Sequence, residues 1–139
     1  MYIRVLADFA AHRSRVERER ASAVRSGKRD LILPLLEIAD GLDQASGHFS
    51  GLPSPLTEGI SAIQRKLLKL LEAQGVTPVK AVGERFNPEI HSEIGEMETN
   101  DHEPGSIVDE LQRGYRWDEE VLRPALVLVA KKTSASGDS

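Results

Sequence analysis

The 139-residue chain predicts an α+β protein: a long N-terminal helix, a helical hairpin forming a dimeric four-helix bundle, and a small C-terminal β-rich domain. Three observations predict it. Residues 1 to about 26 contain neither Gly nor Pro and are rich in Ala, Arg, Glu and Leu, which is helix composition. Two later segments, Asp30–Ala45 and Leu56–Gln74, repeat apolar residues at steps of three and four, the spacing of one helix face. From Val76 onward the period changes to that of short strands broken by Gly and Pro. The expected division is 1–75 for the helical arm and dimerisation bundle, 76–131 for the β domain and 132–139 for a disordered tail.

The first helix is too polar to dock on a core alone. Its apolar residues Val5, Leu6, Phe9, Val16 and Val24 are sparse, and the stretch from Arg13 to Arg20 is dominated by Arg and Glu. Such a helix is a solvated arm or one strand of a thin two-helix pairing. Ser26-Gly27 offers a break or a loosening after it. The next helix carries Leu31, Leu35, Ile38, Leu42 and Ala45 on one stripe, with Ile32, Leu36 and Ala39 beside it. Pro34 is read as lying near its start, where a helix tolerates proline. Ser46 to Pro55 is a Gly- and Pro-rich loop. The following helix has Leu56, Ile60, Ile63, Leu67 and Leu70 on its stripe, and Gly75 closes it as a C-terminal cap.

A hairpin of two such helices covers only one side of each. An exposed aliphatic side chain forgoes about 1.5–3 kcal/mol of burial, so a second copy of the hairpin is the economical cover. Leu35, Ile38, Leu42, Ile60, Ile63, Leu67 and Leu70 are the expected dimer-interface residues.

Beyond the helices, Val76–Val82 is expected as an edge strand, with Pro78 consistent with an edge. Gly83–Gly105 reads as mostly acidic loop. Ser106–Arg113 is a strand, and Gly114–Trp117 with Val121–Lys131 forms a hairpin around Asp118-Glu119-Glu120.

Composition excludes several function classes. With no cysteine there is no disulfide scaffold, thiolate zinc site or thiol nucleophile. A net charge of −4 is the wrong sign for a protein living on nucleic acid phosphates. No apolar stretch reaches membrane-spanning length and the N-terminus has no signal-peptide pattern, so the expected location is the cytoplasm, with neither nucleic acid nor membrane as partner. His91, Glu93, Glu96, Asp101 and His102 lack compact ligand spacing, so no metal is expected there. His91 is read instead as a hydrogen-bonding residue holding the Phe86–Glu93 loop, and Asp101–Gly105 as a turn before the next strand. With no Gly-rich phosphate loop and no nucleophile–base spacing, no enzyme activity and no cofactor are expected.

The C-terminal half carries an ordered set of motifs: Phe86-Asn87-Pro88-Glu89-Ile90-His91, Asp101-His102-Glu103-Pro104-Gly105, Gln112-Arg113-Gly114-Tyr115, Val121-Leu122-Arg123-Pro124-Ala125 and Val127–Lys131. Together with Leu6–Phe9, Arg13–Glu19, Leu35–Ala45 and Glu58-Gly59-Ile60 upstream, this order resembles the GrpE family of nucleotide exchange factors across residues 6 to 131. The resemblance implies a homodimer that binds the nucleotide-binding domain of a DnaK-type heat-shock chaperone. It implies that the β domain wedges the nucleotide cleft open, so that ADP leaves, ATP enters and bound polypeptide is released. It places chaperone contacts on Phe86, Pro88, Leu111, Arg123 and Val129, and gives Gly59 a role in chaperone binding through close packing between helices and against the base of the β domain. For Leu111 and Val129, strand alternation does not decide between partner contact and core. Arg123 is a functional cation or half of a structural ion pair. The Arg13–Arg20 run is a solvated helix face or a further chaperone contact.

Two departures from the family pattern stand out. Where relatives often carry an Asn-Gly turn followed by a basic residue, this chain has Asp118, Glu119 and Glu120. The hairpin is therefore expected to be looser or of another type than I′, with inverted charge at its tip. The chain also starts well inside the family's long helix, so dimerisation is expected to rest on the bundle. A dimeric helical scaffold without exchange activity is the alternative reading; it explains the helices but not the β-domain motifs.

Overall fold

A computed structural model of the chain describes residues 2–48 and 54–133. Helix α1 spans Tyr2–His48 and helix α2 spans Pro55–Ala73. Six strands follow: β1 Val76–Pro78, β2 His91–Glu98, β3 Ile107–Gln112, β4 Tyr115–Trp117, β5 Glu120–Arg123 and β6 Ala125–Lys131. The chain divides into two compact units, Met1–Ile38 and Ala39–Ser139.

Helix α1 has no break at Ser26-Gly27, where a break or a loosening is expected. It runs without interruption through Gly27 and Pro34. Pro34 thus sits in the interior rather than in a first turn, where it removes one backbone hydrogen bond. A single glycine at about 1 kcal/mol and a single proline at about 3 kcal/mol weaken a helix of 47 residues without cutting it. Of the two apolar stripes, the second is buried, with Ile32, Leu36 and Ala39 at 4%, 0% and 4% exposure, whereas Leu31 and Ile38 of the first remain open.

Helix α2 begins as its residues dictate. Ser54 adopts an extended conformation and its side chain accepts from the Thr57 N–H, while Pro55 occupies the first helical turn; both are favoured helix starts. At the other end Gly75 has φ +85° and its N–H donates to the Glu72 carbonyl, so it caps the helix as expected. Of the stretch Ser46–Pro55 expected as loop, Ser46–His48 belong to α1 and Pro55 to α2, and 49–53 lie outside the described residues.

The strands form two three-stranded sheets. The first has the order β1-β4-β5, all antiparallel; the second has the order β2-β6-β3, with β6 central, parallel to β2 and antiparallel to β3. Pro124, between β5 and β6, marks where the chain passes from one sheet to the other. Strand β1 is an edge but ends at Pro78, shorter than the expected Val76–Val82. The acidic stretch 83–105, expected as loop, contains β2. Among the described residues that strand pairs on one side only, and its Glu93, Glu96 and Glu98 stay in solvent, as charged residues on an edge strand do.

The β4–β5 turn is two residues long, Asp118 and Glu119, between paired Trp117 and Glu120. Among the described residues Asp118 is the one non-glycine with positive φ, at 55°. A type I′ turn needs positive φ at both central positions, so this hairpin is of another type, as the missing Asn-Gly implied. The core of the second sheet is Ala81, Ile107, Ala125, Val127 and Val129, with Phe86 packed against it. The tail residues 134–139, expected to be disordered, lie outside the described residues.

Candidate functional site

Two carboxylates at the C-terminal end of α1 organise the site. Asp40 and Asp43 are three residues apart and therefore share a helix face. Asp40 receives a bidentate pair from Arg123: Nη1 donates to Oδ2 at 2.8 Å and Nη2 donates to Oδ1. Gln112 Nε2 donates to the same carboxylate at 3.4 Å. Asp43 accepts from Gln64 Nε2 of α2 at 3.1 Å and faces Arg113 Nε at 3.5 Å. Arg123 further donates Nε to the Arg113 carbonyl at 2.8 Å and lies 5.2 Å from the centroid of the buried Tyr115 ring. The fork-to-carboxylate geometry uses the planar guanidinium to the full. Helix end, α2 and the β strands are thereby locked in one arrangement.

Glu110 on β3 stands beside this network. Its Oε2 is buried without a hydrogen-bond partner among the described residues. Burial raises its carboxyl above the ordinary range, with Arg113 pulling the other way and Asp43 adding to the rise. Asp40, Asp43, Glu110, Leu111 and Arg113 border a cavity of about 760 Å³. Burial likewise pushes the Tyr115 hydroxyl up.

The Phe86–Glu93 segment is pinned by His91, which is 3% exposed. The Asn87 N–H donates to its Nδ1 at 3.0 Å, which makes Nε2 the protonated nitrogen, donating to the Lys80 carbonyl at 2.7 Å. Both ring nitrogens serve the backbone, as the sequence reading of His91 as a loop-holding residue expects.

The expected contact residues fall into distinct environments. Pro88 is exposed in the turn before β2, and Leu111 is 56% exposed on β3. Phe86 is half-buried, its ring 6.0 Å from that of His91. Val129 is 7% exposed and belongs to the core beneath Phe86, which decides the alternation question toward core for its side chain. Arg123 is half of an ion pair. Gly59 makes no close packing within the single chain: a Cβ built there meets nothing within 4 Å among the described residues. Gly114 is where backbones do crowd, since a Cβ would fall 2.4 Å from the Ala125 nitrogen.

Among the expected dimer-interface residues, Ile38, Ile63 and Leu70 are 57%, 54% and 68% exposed, and Leu35, Leu42, Ile60 and Leu67 are half-buried. Sequence reasoning did not reach Asp40, Asp43, Gln64, Glu110 or Gln112. Their one visible signal was polarity at the edge of an apolar stripe or strand, which solvated faces share.

Fold and site define an α+β protein in which a helix end is clamped onto a small two-sheet domain that leaves Pro88 and Leu111 open at its surface. The GrpE family model matches residues 1–131. The chain is 33% identical over 136 residues to Protein GrpE of Desulfatibacillum aliphaticivorans, covering 94% of this chain and 65% of that protein. It is 34% identical over 131 residues to Protein GrpE of Carboxydothermus hydrogenoformans, covering 94% and 68%. Against Protein GrpE of Xylella fastidiosa strain 9a5c it is 36% identical over 126 residues, covering 91% and 73%. The chain belongs to the GrpE family. It spans about two thirds of the length of these curated relatives. No described helix is long and apolar enough to cross a membrane.

Proposed function

We propose that the protein is a homodimeric nucleotide exchange factor that binds the nucleotide-binding domain of a DnaK-type chaperone in the cytoplasm and accelerates ADP release. ATP then rebinds and the chaperone lets go of its polypeptide. The observation that carries this reading is the reach of the family match through residue 131, which takes in the β-domain motifs as well as the helices. A dimeric scaffold would need only the helices.

The mechanism is differential binding. A factor that prefers the open form of the chaperone must weaken nucleotide affinity by the same factor. A coupling of about 1–3 kcal/mol corresponds to a loss of about 5- to 150-fold. No group on the factor needs to react. What it needs is a rigid surface, and the Asp40–Arg123 and His91 contacts supply rigidity under Phe86, Pro88 and Leu111. In this reading Pro88, Leu111 and the open edge of Phe86 touch the chaperone. Val129 and Arg123 act from beneath, by holding the strands, and Gly59 leaves an open helix surface for a partner chain.

The dimer is supported by the unburied apolar rows: Leu31 and Ile38 on α1, and Leu56, Ile63 and Leu70 on α2, the latter at seven-residue steps. The test is release of fluorescent ADP from a DnaK-type chaperone after an ATP chase, with and without the protein. A concentration-dependent rise in the release rate is expected. An unchanged rate across DnaK-type chaperones, with a folded dimer in hand, favours the scaffold.

A further inference from the structure

A groove of about 420 Å³ lies between the start of the first sheet and the Phe86–His91 turn. Lys80, Arg85 and Arg116 all line it, with Glu84 as the carboxylate on its wall. This is an uneven distribution of charge. Residues 76–131 hold twelve acidic side chains and six basic ones. Three of the six bases are paired: Arg113 with Asp43, Arg123 with Asp40, and Lys131 with Glu96. The other three are those of the groove, and among the described residues none of them has a carboxylate within 4.0 Å. Lys80 and Arg85 are exposed and Arg116 is half-buried.

The walls are fixed before any partner arrives. His91 ties the Lys80 carbonyl to the Asn87 turn. The Val79 N–H donates to the Gly114 carbonyl at 2.9 Å, and Phe86 donates to the Gly105 carbonyl at 3.0 Å. Arg85 bridges to Ser106, and Arg116 sits opposite Thr77 in the β1–β4 ladder. Three like charges held close together repel one another, and that cost is recovered when an anion joins them.

We propose that this groove receives an acidic segment of the protein partner, one that presents two or more carboxylates beside the surface touched by Pro88. The proposal rests on the chaperone-binding reading above and deepens it: Lys80, Arg85 and Arg116 read the partner's charge. A protein carboxylate cluster fits better than a nucleic acid. A phosphate backbone needs an extended positive track, and here the groove is flanked by Glu89 and by the acidic edge strand β2. Arg presents a fork suited to carboxylates, and complementary charge of this kind acts on association rate and partner choice.

The experiment measures association of the full chain with a DnaK-type chaperone by stopped flow between low and physiological salt. It compares the wild type with K80E/R85E and the milder K80Q/R85Q/R116Q, with K131E/K132E, which changes the charge as much as K80E/R85E does, as the control outside the groove. Circular dichroism and thermal melts verify folding of each. The expected result is association slowed by about tenfold or more in the groove variants, with a shallower salt dependence, and a control like the wild type. If the wild type accelerates ADP release and the folded groove variants associate as it does, the groove assignment is wrong while the exchange reading stands. If the wild type neither binds nor accelerates, both fall. Groove-dependent binding of a DNA oligonucleotide at physiological salt in place of the chaperone also overturns the proposal.

Discussion

Arg123 and Asp40 lie 83 positions apart and meet as a bidentate pair, the arginine reaching from β5 to the end of α1. Both side chains are about four-fifths buried. Desolvating two charges is costly unless every donor is used, and here Nε has its own acceptor in the Arg113 carbonyl while the guanidinium lies over Tyr115. The pair therefore fixes geometry more than it adds net stability.

Arg123→Ala is expected to destabilise the fold by about 2–4 kcal/mol, because it leaves the largely buried Asp40 carboxylate without its ion-pair partner. Arg123→Lys should recover only part, since an ammonium replaces one arm of the fork. Urea denaturation of the two variants and of Asp40→Asn checks this. A double-mutant cycle with no coupling between positions 40 and 123 would contradict the clamp. Loss of chaperone binding in Arg123→Ala is then expected to follow from a shifted β domain, and to be partly rescued in Arg123→Lys.

The helical part of this arrangement was legible because helix periodicity survives in the residues themselves. Leu56, Ile60, Ile63, Leu67 and Leu70 announce α2, and Ser54-Pro55 and Gly75 mark its ends. The single long α1 was not legible, because Gly27 and Pro34 carry local penalties that read as punctuation although the continuous helix outweighs them. Strand β2 was hidden for another reason. A strand paired on one side and wet on the other tolerates His, Ser and three Glu, a composition that also describes a loop. The clamp itself was out of reach: nothing local in Asp40, Gln112 or Arg123 says which partner each will find. The sequence offered Arg123 as a functional cation or half of an ion pair and left its partner unnamed.

From its buried position His91 holds two backbone groups, the Asn87 N–H and the Lys80 carbonyl. His91→Phe keeps the ring volume and the packing against Phe86 but leaves the Asn87 N–H and Lys80 carbonyl without partners. A loss on the order of 3 kcal/mol is expected, at about 1–3 kcal/mol for each orphaned group. Amide hydrogen exchange should show early opening of residues 86–91. Protection unchanged at Asn87 would contradict the pin.

Gly114 and Gly59 should respond in opposite senses to alanine. At Gly114 the new Cβ meets the Pro124–Ala125 backbone at under 3 Å, and neither strand can withdraw without breaking its ladder, so a loss of a few kcal/mol is expected on the scale of overpacking, about 1–3 kcal/mol. At Gly59 the Cβ enters open space inside α2, and alanine should stabilise the chain by about 0.5–1 kcal/mol. Thermal melts of the two variants decide it. If Gly59→Ala also weakens dimerisation or chaperone binding, the open surface there is used by a partner chain.

The dimer is tested at Ile63, which is 54% exposed in the single chain and lies on the open row of α2. Ile63→Asp would place a charge in an apolar interface, at a cost of several kcal/mol if that interface forms, so sedimentation should show monomers or aggregates. Arg65→Asp, two residues away on another face, should stay dimeric. A stable dimer in Ile63→Asp would remove this row from the interface.

Glu110 makes stability depend on pH in a direction unusual for a carboxylate. Burial raises its native-state value above the ordinary 4.5, so over the window between 4.5 and that raised value the folded chain binds more protons than the unfolded one. Stability is then highest below the window and falls as pH rises through it, because ∂ΔG of unfolding with pH follows the protons bound by the unfolded state minus those bound by the folded. Glu110→Gln keeps the shape, removes the charge that burial penalises and supplies an amide that can donate toward Asp43. The variant is expected to melt higher than the wild type near pH 7, with the difference closing below pH 4.5. Denaturation midpoints of both chains from pH 4 to 8 measure this. A variant less stable at pH 7 would mean that the attraction of Arg113 outweighs burial, and that Glu110 belongs to the clamp as a charged member.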